Sequence, residues 1–429
     1  MKYSSHPSAL FIAAMISFAT LGCSSTEGDS TPQEGNDQVN TQGTGASAQG
    51  AGASTGSGAS ANGAGATDGA GATDGAGATD GAGATDGAGA TDGAGATDGT
   101  GSSAAQGSKS PLVVGYAYNF KQHGNNGALA QLPLQNIDYL VHAFVTADGA
   151  GNVVELEQFG DLRAAGLVEK VHAAGKKVVL SLGGAGATSQ MAQLIGKATQ
   201  ATFVSNVAAR VKEWGYDGID FDFEFPGQHG TPAQFTEFLT LLKSAVRADN
   251  PDAIVMFGVS PGWELPSYEW SQLGQIADHA FYFCYDWNNP QKGPMTAPNK
   301  TFKMRGGVPI EASCRGALDY MIAQGFPAEK IIVGLGFSAN GGAIYNDAPG
   351  SVRSGTPDPN SMEVLDGGGW WPNAASMTMK TNAVLDPSKS VLSGAATVAG
   401  VGFWHWDQEN LTTGADLSTA LRAATDALK

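Results

Sequence analysis

The sequence predicts an α/β protein, a (β/α)8 TIM barrel preceded by a disordered linker of Gly/Ala/Thr/Asp repeats. Three observations carry that expectation. Eight short, β-rich apolar runs alternate with helical patterns after residue 110, the mark of βα units around a parallel sheet. No Gly-x-Gly-x-x-Gly follows the first run, which favours a closed barrel over an open doubly wound sheet. Residues 24–109 hold no aromatic residue and are mostly Gly, Ala, Ser, Thr, Asp and Gln, so they cannot bury enough apolar area to offset chain entropy.

Three parts follow from this: residues 1–23, 24–109 and 110–429. In the first, Lys2 precedes a 13-residue apolar run, Ala9 to Leu21, too short to span a bilayer. With Gly22-Cys23 behind it, the segment reads as an export signal. A small residue directly before a cysteine is similar to the bacterial lipoprotein box, which implies a lipid on Cys23 and a place on the cell surface or outer membrane. The box departs from the usual pattern in having Thr20 where Leu is common, with Leu21 one place late. A plain secretory signal cut nearby is the alternative, and either way the chain is expected to be exported.

In the second part the unit Gly-Ala-Gly-Ala-Thr-Asp repeats from Gly63 to Asp98. Its six-residue period differs from the nonapeptide calcium repeat, and the Asp in each unit opposes silk-like stacking. A flexible chain of this length has a root-mean-square span of roughly 50 Å, so its expected job is reach. The formal charge is −17, of which −8 falls on residues 1–109. An acidic chain without a basic cluster is a poor nucleic-acid binder, because phosphates need Lys or Arg.

In the third part the expected strands are residues 112–118, 139–146, 177–182, 216–223, 254–259, 280–285, 331–337 and 400–406. Helical patterns include 159–174, 232–248, 310–324 and 413–428. The fourth strand is the informative one. In Tyr216-Asp-Gly-Ile-Asp-Phe-Asp-Phe-Glu-Phe-Pro226 the side chains alternate, so Asp220, Asp222 and Glu224 share one face while Ile219, Phe221, Phe223 and Phe225 share the other. The aromatic face suits burial under helices, which turns the acids into the barrel. An edge strand with a solvated acidic face is the bland alternative, but it needs neither four large apolar residues behind it nor seven comparable strands around it.

Residues two apart on a strand are roughly 6.6 Å apart. Three acids at that spacing in a dry interior cannot all ionise at neutral pH. Glu224, nearest the C-terminal mouth, is then placed as a protonated general acid, with Asp222 and Asp220 behind it to pass a proton or hydrogen bond along the row. A metal site is the competing use of clustered acids; none of the seven histidines lies in the row, so no metal and no cofactor is expected.

Asp217-Gly218-Ile219-Asp220-Phe221-Asp222-Phe223-Glu224 resembles the Asp-Gly-x-Asp-x-Asp-x-Glu signature of glycoside hydrolase family 18, the chitinases and their relatives. Ser181-Leu182-Gly183-Gly184 is similar to the family's Ser-x-Gly-Gly, and Gly115-Tyr116, Tyr285-Asp286 and Trp404 also fall at family positions. The resemblance covers about residues 111 to 429. It implies substrate-assisted hydrolysis of β-1,4 bonds in chitin or another N-acetylglucosamine-containing glycan. On that resemblance Glu224 protonates the glycosidic oxygen, Asp222 orients the 2-acetamido group, and Asp220 supports Asp222 while held by Tyr116 and Ser181. Tyr285 donates to the acetamido oxygen, Asp286 touches the sugar, and Trp404 is the floor under the reacting ring.

The family's usual methionine is replaced by Phe283, so packing near that sugar is expected to differ. The span from Ser338 to Leu392 is only 55 residues and lacks a clear Tyr-Gly-Arg, which implies a shallower cleft than in processive relatives. Trp287, Trp263, Trp370 and Trp371 lie at or beyond strand ends where sugars stack, whereas Trp214 and Trp270 read as packing residues and Trp406 fits either role. Cys284 points outward and Cys314 lies on the next helix; a disulfide and two separately buried thiols are both open. An endo-β-N-acetylglucosaminidase, a sugar-binding pseudoenzyme and a surface structural protein are the alternatives to a chitinase, and a monomer is expected. If Cys23 is lipidated, the protein partitions with membranes and Cys23→Ala releases it to the soluble fraction; a wholly soluble wild type with its mature N-terminus elsewhere removes the lipoprotein reading.

Overall fold

The computed structural model describes residues 110–429 except 119–125, 157–158, 288–290, 292, 339–353, 367–368, 410 and 412–415. The segments expected to be an export signal with a lipidated Cys23 and a disordered linker lie outside the described residues. Eight strands form the centre: β1 Leu112–Ala117, β2 Tyr139–Ala147, β3 Lys177–Gly183, β4 Gly218–Asp222, β5 Ile254–Val259, β6 His279–Cys284, β7 Ile331–Gly336 and β8 Gly400–Trp404. Each is parallel to the next, and β8 pairs with β1, which closes the barrel. A short strand, Val153–Glu155, pairs antiparallel with the end of β2. No helix among the described residues is long and apolar enough to cross a membrane.

Alternation along the strands builds two apolar layers. Val114, Tyr116, Val141, Val179, Met256, Phe281 and Ile332 fill the barrel, while Val113, Leu140, Val178, Ile219, Phe221, Val255 and Tyr282 face the helices. The helix over β4, Pro232–Asp249, starts on a capping box in which Thr231 accepts from the Gln234 N–H and Gln234 reaches back, with proline in the first turn. It presents Phe235 and Phe238 to Phe221 at ring separations of 5.2 and 5.0 Å. Truncating a phenylalanine so packed costs about 3–5 kcal/mol. Thus the aromatic face of the fourth strand turns outward as its alternation requires.

Two expected helices are shorter than their patterns. The 159–174 pattern forms Phe159–Ala164 and Leu167–Ala173, broken at Gly166, whose φ of +86° suits glycine. The 310–324 pattern yields Cys314–Ala323, capped by Ser313, because Pro309–Glu311 pairs with Thr301–Lys303 as a hairpin instead. Cys284 faces outward and forms a disulfide with Cys314, with a Cα–Cα separation of 5.3 Å, which settles the pairing that the sequence left open.

At the N-terminal end of the barrel one device recurs three times. Asp138, Asp217 and Asp278 stand directly before β2, β4 and β6. Each donates its backbone N–H to the carbonyl of Val113, Val178 or Val255 on the preceding strand, at 2.7–2.8 Å. Each carboxylate accepts the same valine's N–H in return, at 2.8–2.9 Å. A cation completes every clip: Arg422 at 2.8 Å from Asp138, Lys177 at 2.9 Å from Asp217 beside His172, and Arg247 at 2.7 Å from Asp278. Asp217, the first residue of the acidic signature, is therefore a strand clip at the opposite end from Glu224. Asp217→Ala should lose about 1–3 kcal/mol, the cost of an unpaired buried N–H, in a denaturation experiment, and keep its turnover number below the melting range. A loss of turnover in the folded variant sinks the purely structural role.

Candidate active site

Three acids of β4 and its exit line the C-terminal mouth. Asp220 is fully buried and Asp222 nearly so, whereas Glu224 is half-buried two residues past the strand end. Asp220 is fixed by two hydroxyls: Tyr116 donates to its Oδ2 at 2.8 Å and Ser181 at 2.7 Å. Oδ1 of Asp222 is buried without a hydrogen-bond partner among the described residues. Two glycines make the space. A Cβ at Gly258 would stand 2.7 Å from Asp222 Oδ1, and one at Gly183, whose φ is +109°, would stand 2.1 Å from the Asp222 carbonyl. Glu224 is steadied by Thr188, which accepts its backbone N–H at 3.2 Å, and by the Ala185 N–H, which its carboxylate accepts.

Burial decides the protonation of this row. Desolvation pushes Asp220 up to about 6 against the two hydroxyl hydrogen bonds. It lifts Asp222 well above the carboxylate range, with the charges of Glu224 and Asp220 adding to it. Glu224 is pushed up to about 7 by desolvation and by the charge of Asp286. Near neutral pH the row therefore holds protons at its mouth. Tyr116 and Tyr285 stay protonated for the same reason, desolvation first and the carboxylate charges second, so both remain donors.

The other expected residues surround this row unevenly. Tyr285 and Phe283 stack at 5.4 Å inside the barrel, and Asp286 follows, exposed, with φ of +57°. Trp404 lies at the end of β8 in the inner apolar cluster, 5.4 Å from Tyr116 and 5.6 Å from Phe144. Trp287 lines a cavity beyond Asp286 but is mostly buried. Trp371 is a packing residue whose Nε1 donates to the Asp366 carbonyl at 3.0 Å, and Trp370 pairs across a hairpin with Leu365. Trp214 lies under Arg163 and Arg210, while Trp270 and Trp406 are buried, the latter completely.

Two placements differ from strict alternation. Phe225 does not join the outer aromatic face: β4 ends at Asp222, so the chain is free to turn and Phe225 packs inward, 6.5 Å from Phe283. Phe144 carries no site signal in the sequence. The register of β2 against β3 shifts between His142 and Val145, so both Ala143 and Phe144 face the barrel and Phe144 stacks on Trp404. Gly258, Thr188 and Ala185 carry none either, since nothing about a glycine, a threonine or a backbone N–H reads as a site in one sequence.

The family model of the glycosyl hydrolases family 18 matches residues 112–413. Endochitinase 1 of Metarhizium anisopliae is 23% identical over 256 residues, 52% of this chain and 60% of the relative. An endo-β-N-acetylglucosaminidase of Flavobacterium sp. is 32% identical over 139 residues, 32% of this chain and 42% of the relative. The chain spans 34% to 60% of the length of the curated relatives it matches. Among solved structures, a group IV chitinase of Ostrinia furnacalis in complex with allosamidin superposes with a TM-score of 0.59 at 17% identity, covering 74% of this chain and 100% of that one. At that identity the likeness speaks for the barrel alone, but the family match runs from the first strand to beyond the last, and the chain belongs to glycosyl hydrolase family 18.

Proposed function

We propose that this chain hydrolyses β-1,4 bonds between N-acetylglucosamine units, as a chitinase, by retaining catalysis in which the substrate's own acetamido group is the nucleophile. The observation that carries the reading is Asp222 Oδ1, a buried acceptor without a protein partner among the described residues, next to an acid held protonated up to about pH 7. An unpaired buried acceptor costs free energy unless a ligand donor meets it. The acetamido N–H is such a donor.

In this reading Glu224 gives its proton to the glycosidic oxygen as that bond breaks. The acetamido carbonyl oxygen bonds to the anomeric carbon, and an oxazolinium forms. Asp222 accepts the acetamido N–H, and passing its proton to Asp220 behind it lets it offset the growing positive charge. Tyr285 donates to the acetamido oxygen and fixes its angle of attack, Asp286 contacts the sugar, and Trp404 lies under the ring. Water, deprotonated by Glu224, then opens the intermediate from the face the leaving group vacated, so configuration is retained. An endo-β-N-acetylglucosaminidase acting on N-glycan chitobiose cores is the second reading, favoured by the 32% identical stretch shared with such an enzyme. A pseudoenzyme is disfavoured, because Glu224 is present and its carboxyl is protonated near neutrality.

The deciding experiment is product analysis by mass spectrometry on defined chito-oligosaccharides, cello-oligosaccharides and a high-mannose glycopeptide. Chito-oligosaccharides should be cut with retention, cello-oligosaccharides left intact, and Glu224→Gln should abolish turnover while still binding oligomers. Cleavage of cello-oligosaccharides at a comparable rate would falsify substrate assistance, and release of the glycopeptide glycan alone moves the assignment to the second reading.

The pH profile gives an independent check. The general acid works protonated, so kcat/KM should fall as pH rises through about 7, the value to which desolvation and Asp286 push Glu224. Asp286→Asn removes a negative charge that favours the protonated acid, so the alkaline limb should move to lower pH whatever happens to kcat. A limb that stays put, or moves up, shows that Glu224 does not control it.

A further inference from the structure

Beyond Asp286 the mouth opens into a cavity of about 630 Å³ walled by Trp263, Trp287 and Phe302. Phe302 stands between the two indoles, 6.1 Å from Trp263 and 5.7 Å from Trp287, edge-on to both. Trp263 follows β5, Trp287 follows β6, and Phe302 lies on the hairpin of Thr301–Lys303 and Pro309–Glu311. The Trp263 ring is packed on one side, yet the residue is 51% exposed. A flat amphipathic ring left open in a cavity that Asp286 also lines is a surface for the apolar face of a sugar.

The wall is held from beneath by one ion pair. Glu264, next to Trp263, is fully buried. Its two oxygens accept from Nε and Nη2 of Arg305, each at 2.6 Å, in the bidentate geometry of a strong pair. Ser267 donates to the same carboxylate at 2.9 Å, and the Glu264 N–H donates to Ser260 at 3.3 Å. Arg305 sits at the hairpin tip and gives its own backbone N–H to the Trp263 carbonyl at 3.0 Å. On the other side, Glu264 Oε2 would lie 2.4 Å from a Cβ at Gly227, in the short helix Pro226–His229 that follows Glu224. One pair thus ties the exit of β5 to the hairpin that carries Phe302, with the exit of β4 packed against it.

We propose that Arg305 and Glu264 are positioning residues for a distal sugar site on the Trp263–Phe302 wall, and that they set how tightly chains longer than a disaccharide are held. The inference rests on the N-acetylglucosamine-oligomer reading above. Its physical basis is that a buried carboxylate stripped of its cation must be rehydrated. Removing the fork leaves Glu264 without its cation and takes away the side-chain link between the Trp263 loop and the hairpin, whose Phe302 is the ring against which Trp263 packs. The reacting ring, held by Tyr285, Asp222 and Trp404, does not touch that loop's clamp, so a short substrate should barely sense the change.

The test compares KM and kcat of the full chain on a chromogenic chitobioside and on the N-acetylglucosamine hexamer. Hexamer binding is followed separately by tryptophan fluorescence. Arg305→Ala should raise the hexamer KM about tenfold, equivalent to ~1.4 kcal/mol, and move the chitobioside KM far less. Arg305→Lys, which keeps the charge but not the fork, should recover part of the loss, and Trp263→Ala should reproduce it without disturbing Glu264. The proposal is overturned if folded Arg305→Ala shifts both KM values together or neither, or if Trp263→Ala binds the hexamer as the wild type does. If Arg305→Ala does not fold, Arg305→Lys and Trp263→Ala decide by the same criteria. A wild type that cuts neither substrate overturns the functional reading alone, because hexamer binding to wild type and variants still decides this one.

Discussion

Carrying three carboxyl groups out of water on one face of one strand is the constraint around which the mouth of this barrel is arranged. An ionised carboxylate in a dry interior costs several kcal/mol unless it is paired. The row meets that cost in different ways along its length. Asp220 takes two hydroxyl donors, Tyr116 and Ser181, from the two strands β1 and β3. Asp222 has no such donor on its Oδ1 and is left to hold a proton or to wait for one. Glu224, past the end of the strand, is close enough to solvent to exchange its proton and buried enough to keep it near neutrality. Gly258 follows from the same need, since a side chain there would occupy the volume of the Asp222 carboxyl, while Gly183 leaves room for the Asp222 backbone carbonyl.

Much of this was legible in the sequence because period-two alternation is a strong physical signal. Asp220 and Asp222 could not point anywhere but inward once Phe221 and Phe223 demanded the helix side, and eight strands of that kind leave few architectures. Legibility failed where the period failed. Phe144 faces the barrel through a register shift in β2, and Phe225 turns inward because β4 has already ended. It failed again where long-range partners define the role: Arg305 and Glu264 are 41 residues apart, and neither is remarkable alone. The hairpin at 301–311 was hidden for a third reason, since its strands are three residues each and too short to show any pattern.

The two ends of the barrel sort their acids by opposite means. At the mouth, desolvation raises the row, so the contribution of these groups to stability is present at low pH and lost as pH rises through the values of about 6 and 7 held by Asp220 and Glu224. At the floor, burial would raise Asp217, but the Val178 N–H, Lys177 and His172 outweigh it and hold it below its ordinary value. Its contribution is present above that ordinary value and lost as pH falls through the folded one. A single strand thereby carries one sign of linkage at its start and the other at its exit.

That arrangement makes the segment from Asp217 to Glu224 a ruler with no spare divisions. Its first residue must reach the valine of the neighbouring strand at the floor, and its last must emerge at the opposite rim, seven steps of about 3.3 Å further on. A substitution along it changes the contacts of one residue. A single inserted or deleted residue directly after Asp217 sets the two ends against each other: either the phenylalanines exchange places with the acids and charged groups are driven among the helices, or the clip at Asp217 loses its register with Val178. Length, more than identity at any one position, is what this strand cannot vary.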